Sequence, residues 1–238
     1  GRPKYIHDND LADVETTLTQ VDLEQRRLLE MLSRYLDTVR QGKELSELRK
    51  VAKELLDRIG EFLIDMVARF PDQAVDKHNA MMTRQKMLNW LEEQIIELCE
   101  VLHTLPKTSS LSTWSQSLVE GIDIVLLVLQ DALDSNDASS WTTATQLMGD
   151  RGELLRKLRD ASLQSEECLL PEERTKLIRL ASTTEHVFML MTQLAHECRQ
   201  ASLADEAFLA HHELEDLDAP PPSSAFSEAL EPVRSGSG

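Results

Sequence analysis

Cysteine, glycine, proline and aromatic residues are all scarce in this 238-residue chain, and each shortage removes a class of architecture. The three cysteines, Cys99, Cys168 and Cys198, are odd in number and form no Cys-x-x-Cys pair. With no leader-like opening before Asp10, they are expected to be unpaired thiols in a reducing compartment. Eight glycines and eight prolines leave little room for tight turns, which favours long helices with short connections. Aromatics at 4% mean that any core is built from Leu, Met, Val and Ile. Basic residues are outnumbered 42 to 25, and the net charge of −17 excludes the basic groove that a phosphate backbone needs. The same charge disfavours an anionic membrane surface. No apolar run exceeds Ile124 to Leu129, far short of the roughly 20 residues that span a bilayer.

What the chain does have is helical periodicity. Between Glu44 and Phe70, the residues Leu45, Leu48, Ala52, Leu55, Ile59, Phe62 and Met66 step by three and four without a break. Val51, Leu56, Leu63, Val67 and Phe70 widen that stripe to the breadth of a core-facing helix. Before it, Leu11, Val14, Leu18, Val21, Gln25, Leu28, Leu32 and Val39 keep the same period from a start near Asp8–Asp13 to the stop signal Gln41-Gly42. Pro71 ends the second helix, and a third runs from about Ala74 to His103.

The polar stretch from Thr104 to Ser110 is the longest break before the tail, after which the plan repeats. A fourth helix spans Leu111 to Asp134, and a fifth covers Ala138 to Gln164, where Gly149 and Gly152 are expected to interrupt it. A sixth is expected over Glu172 to Gln200, with Leu177, Leu180, Thr184, Val187, Met191, Leu194 and Cys198 facing inward. From Ala204 onward eight acids face Arg234 alone, and Pro220-Pro221-Pro222 rules out further helix, so Asp218 to Gly238 is expected to be disordered. The fold class is therefore all-α, as two antiparallel three-helix bundles side by side: residues 8–105, residues 111–203, and an acidic Pro-rich tail over 204–238.

Candidate chemistry is thin. Glu61 and Asp65 stand one helical turn apart, the spacing a hard cation on a bundle surface would want, and Glu93 with Glu97 repeats it more weakly. Such pairs arise on any solvated face of a chain that is 28% charged, so no metal site is assigned. His186 and His196 lie on a bundle helix but lack the Lys and small residue that let a phosphate approach. His211-His212 reads as a solvated pair. No Gly-rich phosphate loop, Gly-x-Ser-x-Gly elbow or His-Glu-x-x-His is present, so no catalytic residue and no cofactor is assigned.

The opening Arg2-Pro3-Lys4-Tyr5-Ile6-His7-Asp8, followed by Glu24-Gln25-Arg26-Arg27-Leu28-Leu29-Glu30-Met31, resembles the junction where bacterial sodium/phosphate cotransporter-type proteins leave the bilayer and begin a PhoU-like helical region. The three-plus-three plan over residues 3 to 201 is similar to PhoU-like phosphate-uptake regulators. Glu61-x-x-x-Asp65 matches that family's acidic metal motif in one half, whereas Gln146-x-x-x-Asp150 lacks a carboxylate in the other. The resemblance implies a non-catalytic regulatory region on the cytoplasmic face of the inner membrane. It would be cut from a longer chain, continuous at Arg2 with a membrane-spanning transport domain, its own helices being soluble. It would act by docking and conformational coupling on sodium-dependent phosphate transport, with a homodimer compatible. The alternative is a free-standing helical adaptor whose bundle face or acidic tail, with Phe226 and Leu230, binds a partner.

Overall fold

A computed structural model of the chain describes residues 3–6, 13–105, 109–164 and 171–218. These form six helices with no strand among them: α1 (Val14–Arg40), α2 (Ser46–Arg69), α3 (Val75–Thr104), α4 (Ser109–Ser135), α5 (Ala138–Gln164) and α6 (Pro171–Asp218). The chain divides into two compact units, Gly1–Leu203 and Ala204–Gly238, and the first of them holds the helical bundle. Leu11, Cys168, Phe226, Leu230 and the disorder expected after Asp218 lie outside the described residues.

Local chemistry sets several helix ends. Asp13 caps α1 in extended backbone, its Oδ2 accepting from the Thr16 amide at 3.0 Å. At the other end Gly42 adopts φ 67°, and the Gly42 and Lys43 amides return to the Val39 and Thr38 carbonyls, closing the helix as the Gln41-Gly42 pair predicts. Pro171 opens α6 at a position where its missing N–H costs nothing.

Long-range contacts fix the helix directions. Glu15 meets Lys77, Asp22 meets Arg84 and Tyr35 meets Glu92, so α1 and α3 run parallel. Arg49 near Glu100 sets α2 antiparallel to both. Arg26 pairs with Asp134 and Arg40 with Asp123, which lays α4 antiparallel to α1. Arg179 on Glu97 and Lys176 on the Thr104 carbonyl lay α6 antiparallel to α3. The short turn at Asn136 sends α5 back along α4, and Ser202 of α6 donates to the Asn136 carbonyl at 3.0 Å. The result is two antiparallel three-helix sets, joined where α1 faces α4 and α3 faces α6.

The stripes face inward as the periodicity requires. Leu55, Ile59, Phe62, Met66, Leu126, Leu129, Val187 and Met191 are all buried, and residues of both sets belong to one continuous apolar cluster. Three local expectations fail. Val67 is exposed, because the stripe of α2 is narrower than its apolar residues suggest. Gly149 does not break α5; it lies on the exposed side, with nothing within 4 Å of where a Cβ would stand, while Trp141, Ala144 and Met148 are buried. Packing along one face thus outweighs a propensity cost of about 1 kcal/mol per glycine. Finally, α6 runs to Asp218 instead of ending at Gln200, so the acidic stretch begins as helix. Residues 201–218 contain neither Gly nor Pro and include four alanines, which carry the helix onward to Asp218.

Candidate functional site

Polar side chains at core positions of α1 and α3 form the most organised cluster in the bundle. Gln25 occupies a stripe position of α1 between Val21 and Leu28, and Arg84 and Gln85 occupy the matching level of α3. All three are buried, and the parallel course of the two helices brings them together. Gln25 Nε2 donates to Gln85 Oε1 at 3.0 Å and to the Met81 carbonyl at 3.3 Å. Gln85 Nε2 in turn donates to the Leu56 carbonyl of α2 at 3.0 Å. Arg84 Nε donates to Gln25 Oε1 at 2.6 Å, while its Nη2 donates to Asp22 Oδ1 and to Met81 Sδ. Cys198 of α6 lies close to the same guanidinium.

The protonation states follow from burial and partners. Burial disfavours the Arg84 cation, but the groups facing it, of which the Asp22 carboxylate is the charged one, outweigh this and hold the guanidinium above its ordinary value. Burial pushes the Cys198 thiol up by more than Arg84 pulls it down. Cys198 is therefore a neutral thiol, and Asp22 is the counter-ion. A buried cation with one carboxylate and neutral acceptors fixes how helices pack; its donors are turned toward protein groups.

One turn of α1 carries five further polar contacts. Glu24, with its side chain fully buried, accepts on Oε1 from the backbone amides of Lys4 and Tyr5 and on Oε2 from Arg27 Nη1 at 3.2 Å. Ile6, just beyond, is buried in the core. Arg26 reaches Asp22 at 2.6 Å and Asp134 of α4 at 2.9 Å.

A second buried pair lies further along α1 and α3, where the Tyr35 hydroxyl donates to Glu92 Oε1 at 3.1 Å. Burial raises both groups, Glu92 despite the favourable hydrogen bond and the more distant Arg49. At the α1–α4 contact, burial likewise raises Asp123 against the pull of Arg40 at 2.6 Å. His78, at the start of α3, is 6% exposed with no hydrogen bond to either ring nitrogen, and burial lowers its pKa.

A shallow groove of about 490 Å³ lies between α3 and α6, lined in part by Gln94, Glu97, Ile178, Arg179, Thr183 and His186. Arg179 is already engaged by Glu97 across it at 3.3 Å.

The residues singled out by spacing are dispersed. Glu61 and Asp65 share the solvent face of α2, where Glu61 accepts from Arg58 at 3.2 Å. Glu93 is exposed, and Glu97 turns to Arg179. Gln146, Asp150 and His196 are exposed, while the side chains of His211 and His212 lie outside those described. Among the described residues no three of His, Cys, Asp or Glu gather as metal ligands, and no helix is long and apolar enough to cross a membrane. The cluster around Arg84 matches no motif, so motif and spacing do not find it. Its signal is Gln25, a polar residue on an apolar stripe, in register with Arg84-Gln85 on a helix of the same period. Compared with known proteins, the chain matches no family model, no curated protein and no solved structure.

Proposed function

We propose that this bundle is a non-catalytic regulatory region of the PhoU-like kind, acting on a sodium-dependent phosphate transporter through docking and conformational coupling. In this reading it sits at the cytoplasmic face of the inner membrane, covalently continuous with a membrane-spanning transport domain. One observation carries the coupling role: the contrast between the polar contacts inside the first helix set and those between the sets. Inside the first set, Gln25, Arg84 and Gln85 are buried and directly hydrogen-bonded. Between the sets, Arg40–Asp123 is largely buried, but Arg26–Asp134 and Arg179–Glu97 are ion pairs with exposed members, such as Asp134 at 69% and Arg179 at 59%. Exposed pairs contribute only about 0–1 kcal/mol each. These exposed pairs can therefore exchange partners at small cost while the interior of the first set stays ordered, and a two-state element biased by a few kcal/mol needs such replaceable contacts beside its fixed ones.

The test is deletion of Asp13 to Gln200 from the parent protein, followed by phosphate uptake at low and high external phosphate. Membrane insertion is expected to persist, and the dependence of uptake on external phosphate to change. Uptake identical to the intact protein under both conditions refutes the regulatory role.

A further inference from the structure

We propose that the Asp22–Arg27 turn of α1 is a coupling hub, in which Glu24 clamps the Lys4–Ile6 segment and Arg26 passes the position of that turn to α4. The purpose of such a hub rests on the regulatory reading above; its physics is a property of this chain alone.

Glu24 is a carboxylate with no exposed side-chain surface, and such a group is kept only when its oxygens are satisfied. Two of the groups that satisfy it are the Lys4 and Tyr5 amides, which belong to neither α1 nor any other helix. Their loss would leave the carboxylate leaning on Arg27 of its own turn, so the segment and the turn are ordered together. Ile6, packed in the core beside them, adds an apolar anchor to the clamp.

The output side lies within one helical turn. Asp22 is divided between two cations, the buried Arg84 of α3 and the partly exposed Arg26 of its own helix. Arg26 is in turn divided between Asp22 and Asp134 of α4. Asp22 gives Oδ1 to Arg84 and Oδ2 to Arg26, and Arg26 gives Nη2 to Asp22 and Nη1 to Asp134, so all three contacts are made at once. A movement of this turn therefore carries Arg26, and with it the contact to Asp134, along. The segment at Lys4–Ile6 is linked to α4 through this bridge, across 108 residues of sequence between Arg26 and Asp134.

The hub is tested in the 238-residue chain by amide exchange, comparing Glu24→Ala, Arg26→Met and the double variant. Glu24→Ala is expected to speed exchange of the Lys4 and Tyr5 amides about tenfold, and of the amides in the last turn of α4 near Asp134 about threefold. Arg26→Met alone is expected to leave Lys4 and Tyr5 protected. In its background, Glu24→Ala frees Lys4 and Tyr5 with no further change near Asp134. Amides of α2 between Ala52 and Leu63 serve as reference, so a general loss of stability is separated from a local one. Glu24→Gln, which keeps an acceptor oxygen, covers the case in which the alanine variant does not fold, with smaller shifts in the same direction.

Two results overturn the hub: Lys4 and Tyr5 amides that exchange freely in the unaltered chain, or an α4 response to Glu24 substitution that is absent or indifferent to Arg26. Unchanged transport control after deletion of the bundle refutes the regulatory reading and leaves these exchange results standing.

Discussion

Removing Asp22 is expected to cost more than removing the larger residue it serves. Asp22→Ala strips the Arg84 cation of its counter-ion while leaving it among Gln25 Oε1, Met81 Sδ and the Cys198 thiol. The Arg84 side chain is 9% exposed, so water replaces the carboxylate poorly. Breaking a buried pair from one side costs about 3–5 kcal/mol. Asp22 is itself 17% exposed, which places the expected loss near the lower figure. Arg84→Met is different. Asp22 keeps Arg26 at 2.6 Å, the methionine occupies the space of the arginine stem, and the main new defect is Gln25 Oε1 without its donor. An orphaned buried acceptor costs about 1–3 kcal/mol. Urea unfolding followed by far-UV dichroism and by tryptophan fluorescence gives both values, provided the two probes coincide and the slopes match. An Asp22→Ala loss below about 1 kcal/mol, or a larger loss for Arg84→Met, would show that the pair is solvated and the ranking argument wrong.

Ile59→Ala, at a fully buried position, is expected to lose about 2–5 kcal/mol, while Ile64→Ala on the exposed side of the same helix stays within about 0.5 kcal/mol; equal effects would overturn the assigned face of α2. Glu92 has a folded-state pKa above its ordinary value, so it favours the fold below that ordinary value and loses the advantage as pH rises through the raised one. Glu92→Gln keeps an acceptor for the Tyr35 hydroxyl and is therefore expected to hold or raise the melting temperature at pH 8, and a clear drop there would contradict the burial argument. His78 has the opposite sign: burial depresses it, so the folded state resists protonation and stability falls as pH drops below about 6.5. His78→Phe is expected to flatten the stability profile between about pH 7 and 5, and an unchanged slope would place the effect on other groups.

The helices are legible in the sequence because burying one face is a demand each helix satisfies locally. The run from Leu45 to Met66 needs only its own period to be recognised, and the Gln41-Gly42 stop only its own backbone. The length of α5 and α6 is not legible in the same way. Gly149 reads as a break until it is known to face solvent, and nothing marks Gln200 as an interior residue except the absence of a breaker before Pro220. The organised polar cluster is the least legible part. Arg84 and Gln85 look like surface residues on a helix whose amphipathicity they blur, and only the pairing of α1 with α3 turns them inward. Glu24 shows the same limit from the other side: its partners are backbone amides twenty and nineteen residues earlier, which carry no side-chain signature at all.

The position of α1, which touches α2, α3 and α4, also sets a schedule for synthesis. At about 5–20 residues per second, α2 and α3 leave the ribosome within seconds of α1 and can close their side of it at once. Asp134, which meets Arg26, follows 108 residues later, so the flank of α1 that will receive α4 stays uncovered for roughly 5–20 seconds. Half of this seam therefore exists before the other half has been made. The polar side chains that α1 brings to it, Arg26, Ser33 and Arg40, keep the waiting face wettable until Asp123 and Asp134 arrive to meet them.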